Sequence, residues 1–299
     1  MTQPRAIVCI VGPTASGKTG LAIAKAQELD GEIISVDSRQ IYRGFTIGTC
    51  QPTADEQARV PHHLVNVLDP DETITAGKYV RLVHAAMADI VGRGRQPILC
   101  GGTGLYFRVL RLGLEEVGPV DPALRAKIEA LIDAEGPEAA HRRLADIDPD
   151  YAATIHPHNR QRLVRALEIF ELTGQSPGSS RQWQDRNGGA AVTIEGVGEV
   201  TFEFTGIERP RKALYRRIDL RVEAMLEAGW QDEVRGLLNA GVSPQAHPMQ
   251  GIGYRELAKV ERGELTLEEA TPLIQQRTRN FAKRQLTWLR KEPVQWVAG

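Results

Sequence analysis

The sequence is poor in the features that mark an oxidising compartment, a metal centre or a membrane. It holds only three cysteines, Cys9, Cys50 and Cys100, with no close pair among them. That excludes a disulfide framework and a cysteine zinc site, and it points to a reducing compartment. Cys9 and Cys100 sit inside apolar runs and read as small core residues. The seven histidines show neither HxxxH nor HExxH spacing; His62–His63 and His156-Pro157-His158 stand alone and read as structural. No Ser/His/Asp signature is present. The apolar run Ala6–Val11 stops at a glycine, far short of the roughly 18 residues of a membrane span, and it does not resemble an export signal. The expectation is a soluble, cytoplasmic, monomeric protein. Basic and acidic residues nearly cancel, 37 against 38, so any contact with nucleic acid must come from local basic surfaces. Repeats and low-complexity tracts are absent.

What is present is an alternation of apolar runs and helical patterns. "AIVCIV" (6–11), "GEIISVD" (31–37) and "QPILCGGTG" (96–104) read as buried strands, and "HHLVNVLDP" (62–70) offers a shorter one. Residues 19–29 and 73–92 read as helices, the second with Tyr79, Val83, Met87 and Ile90 on one face. This pattern predicts an α/β fold of the P-loop type, a mostly parallel sheet flanked by helices. From Asp121 the signal turns helical. The pattern predicts a discontinuous core, 1–117 with 199–299, interrupted by a helical insertion at 118–198. "EVTFEFTGI" (199–207) returns to strand. Pro210 then opens a long helix with Leu214, Ile218, Val222 and Met225 on one face, and shorter helices finish the chain.

The segment Gly12-Pro13-Thr14-Ala15-Ser16-Gly17-Lys18-Thr19 has the spacing of a phosphate-binding loop. Its N–H groups would cradle phosphate oxygens, Lys18 would neutralise them, and the Thr19 hydroxyl would coordinate Mg²⁺. Asp37, at the end of a predicted strand, is open to three readings: a carboxylate behind a metal, a general base, or a turn and helix cap. Thr103 in "GGTGLYF" is either a cap or a hydroxyl donor to phosphate. In α/β sheets these positions, each just past a strand, share one rim. Basic residues gather at Arg160, Arg162 and Arg165, at Arg209 to Arg221, and along 277–291, where Arg277, Arg279, Lys283, Arg284, Arg290 and Lys291 have no acidic residue among them. Such a run is either a solvated face or a surface for a phosphate backbone. Ile274, Phe281 and Trp288 form a stripe read as core. From these residues alone, a nucleotide kinase or NTPase and a non-catalytic RNA-binding protein both remain open.

The motifs "GPTASGKT", "VDSRQIYRGFTIGT", "PHHL", "GGTGLYF", "HPHNRQRLVRALE", "GIGYREL" and "AKRQLTWLRK" occur in this order. Together they resemble the bacterial tRNA dimethylallyltransferases, or tRNA isopentenyltransferases, over nearly the whole chain; only residues 176–198 match nothing. The resemblance implies transfer of a dimethylallyl group from its diphosphate to the exocyclic amine of the adenosine 3′ to the anticodon, in tRNAs reading codons that begin with U. It implies that the loop Gly12–Thr19 holds the diphosphate with Mg²⁺. It makes Asp37 the base, makes Thr103 a contact to the reacting region and leaving phosphate, and makes Arg221 a diphosphate ligand, with Arg217 as the alternative. It also implies tRNA contacts along Asp37, Ser38, Arg39 and Gln40 and at Thr103 and Arg125. Further contacts would run along Gln161, Arg162, Leu163, Val164 and Arg165, and along Gln250, Gly251, Ile252, Gly253, Tyr254 and Arg255. The last would be Lys283, Arg284, Gln285 and Arg290. The insertion would grip the anticodon stem.

Overall fold

The computed structural model describes residues 3–113, 121–179 and 191–299. It divides into two compact units, Met1–Arg111 with Ala191–Gly299, and Leu112–Ala190.

The first unit is built on one sheet. Strand β1 (Arg5–Val11) leads through the phosphate loop into α1 (Lys18–Glu28), and β2 (Gly31–Val36) is buried along its whole length. Helix α2 (Ala54–Arg59) carries a full capping box from Thr53 and Glu56. The short β3 (His62–His63) follows. The short strand expected within 62–70 keeps only its first two residues. Leu64 and Asn66 take positive φ, 60° and 57°, which bends the chain out of the sheet after two residues. Helix α3 (Ala76–Gly92) is capped by Thr75 and buries Tyr79, Val83, Met87 and Ile90, the face that periodicity indicated. Strand β4 (Gln96–Gly101) and helix α4 (Gly104–Leu112) complete the first half.

The second unit contains α5 (Pro122–Glu135), α6 (Pro137–Ile147), α7 (Pro149–Ala152) and α8 (Arg160–Thr173). Proline opens the first three and an aspartate side chain caps α5 and α7. Its core is Ile128, Ile132, Leu144, Ile155, Leu163 and Leu167 with small neighbours. Residues 118–120 and 180–190 of the expected insertion lie outside the described residues.

The chain re-enters the sheet at β5 (Val192–Ile194), earlier than the expected boundary at 198/199, and turns antiparallel into β6 (Gly198–Glu208). Helices α9 (Arg211–Glu227), α10 (Trp230–Asn239), α11 (Tyr254–Glu261) and α12 (Leu267–Leu289) follow. The expectation that only shorter helices end the chain is corrected twice. Helix α12 has 23 residues, and β7 (Val294–Ala298) pairs in parallel with β6. Strand β7 escaped notice because it is a half-exposed edge strand after a charged, proline-containing turn. The sheet order is β3-β2-β4-β1-β6-β5, with β7 also on β6, and β5 alone runs antiparallel. Strands β2, β4 and β1 are therefore adjacent, so the loops at their carboxyl ends meet.

Candidate active site

The phosphate loop is shaped by its own backbone and held from outside. Ala15 and Gly17 both take left-handed φ, 64° and 100°; for alanine this costs about 1 kcal/mol. Two arginines hold the outward carbonyls: Arg217 Nε donates to Ala15 O at 2.9 Å and Arg209 Nε to Ser16 O at 2.7 Å. Ala15 itself packs on Leu214, Ile218 and Ala282 of α9 and α12. Gly17 is the N-cap of α1 and offers no side chain to cap it. The first N–H groups of the helix, and its dipole, are thus left for an anion. Burial lowers the Lys18 pKa; Cys100 and Asp37 raise it, and Arg221 lowers it again. Burial also pushes the Cys100 thiol up to about 11, so that thiol stays neutral beside the lysine.

Across the rim, Asp37 leaves β2 and closes a tight turn. Its Oδ1 accepts from the N–H of Arg39 at 2.8 Å and of Gln40 at 3.3 Å. Thr103, after β4, is joined to the same turn: its N–H donates to Val36 O at 3.3 Å, and its hydroxyl accepts from Ser38 N–H at 3.3 Å. The turn reading of Asp37 therefore holds for one oxygen. The carboxylate still lines a cavity of about 390 Å³ together with Thr14, Lys18, Thr19, Thr103 and Arg221. The cavity is lined as well by the apolar side chains of Ile218, Val222, Met225, Trp230, Ile252 and Phe281. Charged and apolar side chains lining one cavity suit a ligand with a charged head and a hydrocarbon part.

Residues 40–292 match the protein family described as IPP transferase. The chain belongs to the IPP transferase family. It is 46% identical to tRNA dimethylallyltransferase 1 of Trichlorobacter lovleyi, covering 99% of this chain and 94% of that protein. It is 45% identical to tRNA dimethylallyltransferase of Myxococcus xanthus, over 96% and 90%. Among solved structures it resembles the full-length tRNA isopentenylpyrophosphate transferase of Bacillus halodurans, at 38% identity, TM-score 0.69 and coverage of 99% and 90%. It also resembles a eukaryotic dimethylallyltransferase acting on tRNA, at 26% identity, TM-score 0.78 and coverage of 98% and 74%.

Within this IPP transferase, some of the expected RNA-contacting residues reach the cavity and others do not. Ser38, Arg39, Gln40, Gln250, Gly251, Ile252, Tyr254, Arg284 and Gln285 line it. Several of these have their polar atoms committed elsewhere. The Gln40 amide accepts from Ser35 Oγ at 2.7 Å and donates to the carbonyls of Thr49 at 3.1 Å and Cys50 at 2.8 Å. The Tyr254 hydroxyl donates to Glu233 at 2.6 Å. Arg39 donates to the His247 carbonyl. The Gln285 amide bonds to the backbone of Thr14 and Gly102. Gly253 does not line the cavity. It has φ 89°, and a Cβ there would stand 1.9 Å from the Trp230 ring, so its glycine is required by packing. Arg255 turns to Glu256 at 3.2 Å. Lys283 of α12 and Arg290, its C-cap, do not line the cavity but a separate groove with Arg209 and Arg211.

Two further corrections concern charge and burial. Arg277 and Arg279, placed by the sequence in an unneutralised run, pair with Glu256 and Asp219 from other helices. In the helical unit, Leu163 and Val164 are 0% and 1% exposed and belong to its core, so their side chains cannot meet RNA. Arg125 and Arg165 flank the buried Glu168, each at 3.3 Å. Gln161 and Arg162 remain exposed. Arg221 lines the cavity, whereas Arg217 braces the loop from behind. Sequence reasoning missed Glu233, which accepts from the N–H groups of Thr46 at 3.0 Å, Ile47 at 2.7 Å and Gly48 at 3.3 Å. A glutamate in the first turn of a helix resembles ordinary dipole compensation, so no local signal gave it away. Among the described residues no helix is long and apolar enough to cross a membrane.

Proposed function

We propose that this chain transfers a dimethylallyl group from dimethylallyl diphosphate to the exocyclic N6 amine of the adenosine 3′ to the anticodon, in tRNAs reading codons that begin with U. The products are N6-dimethylallyladenosine and diphosphate. One observation carries the reading: Lys18, Thr19, Asp37, Thr103 and Arg221 line a single cavity together with several apolar side chains. Family membership and the names of the relatives support it.

In this reading the diphosphate lies on the N-terminus of α1, with Lys18 and Arg221 taking up the charge that grows as the allylic C–O bond breaks. The apolar side chains hold the dimethylallyl group and exclude water. The amine nitrogen attacks the allylic carbon as diphosphate departs, and the amine proton passes to Asp37. A positioned base of this kind contributes about 10²- to 10⁴-fold. The Thr103 hydroxyl donates to the leaving phosphate. The adenosine enters flipped out of a single-stranded loop, which costs a few kcal/mol. Gln161 and Arg162 of the helical unit would contact the anticodon stem, largely through phosphates.

Mg²⁺ fits the donor set as a substrate-borne ion. Among the described residues no group of three His, Cys, Asp or Glu could cage a metal, while the Thr19 hydroxyl faces the cavity; Mg²⁺ commonly takes one such ligand plus phosphates and waters. When bound it would supply further neutralisation of the leaving group. The chain acts as a monomer in this reading.

The test is incubation with labelled dimethylallyl diphosphate and unmodified tRNA. Label on the adenosine 3′ to the anticodon is the expected result. ATP turnover without labelling would favour a nucleotide kinase or NTPase, and tRNA binding without turnover a non-catalytic role.

A further inference from the structure

Gln285 was expected to contact tRNA, yet both ends of its amide are bonded to backbone. Its Oε1 accepts the N–H of Thr14 at 2.9 Å and its Nε2 donates to the Gly102 carbonyl at 3.0 Å. The residue is 8% exposed and lies on α12. One planar group therefore joins three elements: the phosphate loop after β1, the loop after β4 that carries Thr103, and the helix whose Phe281 and Arg284 face the cavity.

We infer that Gln285 is a positioning residue that sets the phosphate loop against Thr103 and Asp37, fixing the distance between the diphosphate and the attacking nitrogen. The inference rests on the transferase reading above. The polarity of the amide is dictated at both ends, since one partner is an N–H and the other a carbonyl. Only a group with an acceptor and a donor side by side satisfies both. The neighbourhood is shaped around it: a Cβ on Gly102 would stand 2.3 Å from Gln285 Nε2. With the Thr14 N–H already satisfied, the anion-binding donors are those further along, at the start of α1. Thr103 is next in sequence to the clamped Gly102, and its hydroxyl accepts from Ser38 N–H, next to Asp37. A change in the Gln285 bond at Thr14 thus moves the cradle relative to the base, and reaction rates respond steeply to such displacements.

The experiment uses the full chain with Gln285→Ala, Gln285→Met, which keeps the unbranched stem, and Gln285→Glu. Donor kinetics, tRNA affinity and thermal melting are measured for each. Alanine and methionine are expected to lower kcat/KM for dimethylallyl diphosphate about tenfold or more, with tRNA affinity within about twofold of wild type. Gln285→Glu should match them at high pH, where an ionised carboxylate faces the Gly102 carbonyl. It should recover as pH falls, because the protonated acid can again donate and accept; wild type should show no such recovery. Unchanged donor kinetics in the alanine and methionine variants would overturn the inference. So would a loss of tRNA affinity as large as the loss of kcat/KM, which would mark a direct RNA contact, or failure of all three variants to fold, which would mark a scaffold role alone. If wild type itself transfers no label, the transferase reading fails separately. Pyrophosphate titration calorimetry then decides the clamp, with weaker binding by Gln285→Ala expected and equal binding overturning it.

Discussion

Around the Gly12–Thr19 loop the protein presents main-chain groups and braces them with side chains from other elements. Arg217 and Arg209 hold the carbonyls of Ala15 and Ser16, and Gln285 holds the N–H of Thr14. At the other end it presents side chains on loops that are themselves tied down by side chains: Gln40 to Thr49 and Cys50, Arg39 to His247, and Glu233 to residues 46–48. The first arrangement suits an anion of fixed shape, which rewards rigid dipoles aimed at it. The second suits a large acceptor whose reacting base must be admitted and then aligned. Damage at the two ends should accordingly appear in different kinetic parameters.

The largest expected effect is at the junction of the ends. Asp37→Ala should slow the chemical step at least about a hundredfold while leaving tRNA affinity little changed; an unaltered single-turnover rate would remove Asp37 from the chemistry. Next, Arg221→Ala should lower kcat/KM for the donor by about ten- to a hundredfold, and Arg217→Ala by only a few-fold, since Arg217 acts through the loop. Equal losses would dissolve the distinction between the front and the back of the cradle. At the acceptor end, Glu233→Ala leaves three N–H groups and the Tyr254 hydroxyl without their acceptor. It should cost about 2 kcal/mol of stability by denaturant titration and raise KM for tRNA more than for the donor. A smaller change is expected from Arg284→Ala and Arg290→Ala together: weaker tRNA binding, and a salt slope shallower by about 1 for each phosphate no longer neutralised. An unchanged slope would leave both charges facing solvent.

The smallest effect tests the far end of the strand that carries Asp37. Glu32 is the second residue of β2 and is buried, bonded to Arg93 at 2.9 Å and His63 at 2.6 Å. The Arg93 hydrogen bonds lower its pKa against the opposing pull of burial, and His63 adds to them, bringing it from 4.5 down to about 2. Its stabilisation is therefore complete above about pH 4.5 and is lost as pH falls through about 2. Glu32→Gln should flatten the acid limb of stability across that window and leave donor and acceptor kinetics alone. A kinetic effect would mean that the sheet transmits strain to its rim.

The Gly12–Thr19 loop was legible in the sequence because its signal is local. A loop whose two glycines, lysine and threonine all fall within eight residues states its geometry in those letters, and the apolar strand before it states its burial. The acceptor end was less legible because its order comes from partners far along the chain. Gln40 and Gln285 read as polar residues available to RNA until their amides are traced to backbone at Thr49, Cys50, Thr14 and Gly102. The basic run at 277–291 looked uncompensated because its carboxylates, Asp219 and Glu256, belong to α9 and α11. Leu163 and Val164 sat inside a motif that resembled an RNA contact, yet helical periodicity turned them inward to a core. Strand β7 was hidden because an edge strand needs only one apolar face, and a half-exposed one hardly shows even that.

The pairing of Arg5 with Val200 and of Val11 with Gly206 means that β1 meets its β6 partner only after the whole helical unit has been made. A chain emerging amino end first must carry the phosphate loop on a strand with one edge bare, while the helices, whose contacts are local, can already collapse. The loop at residues 12–19 thus reaches its final setting late in biogenesis, and truncation or stalling before β6 leaves an exposed strand edge, ready to aggregate.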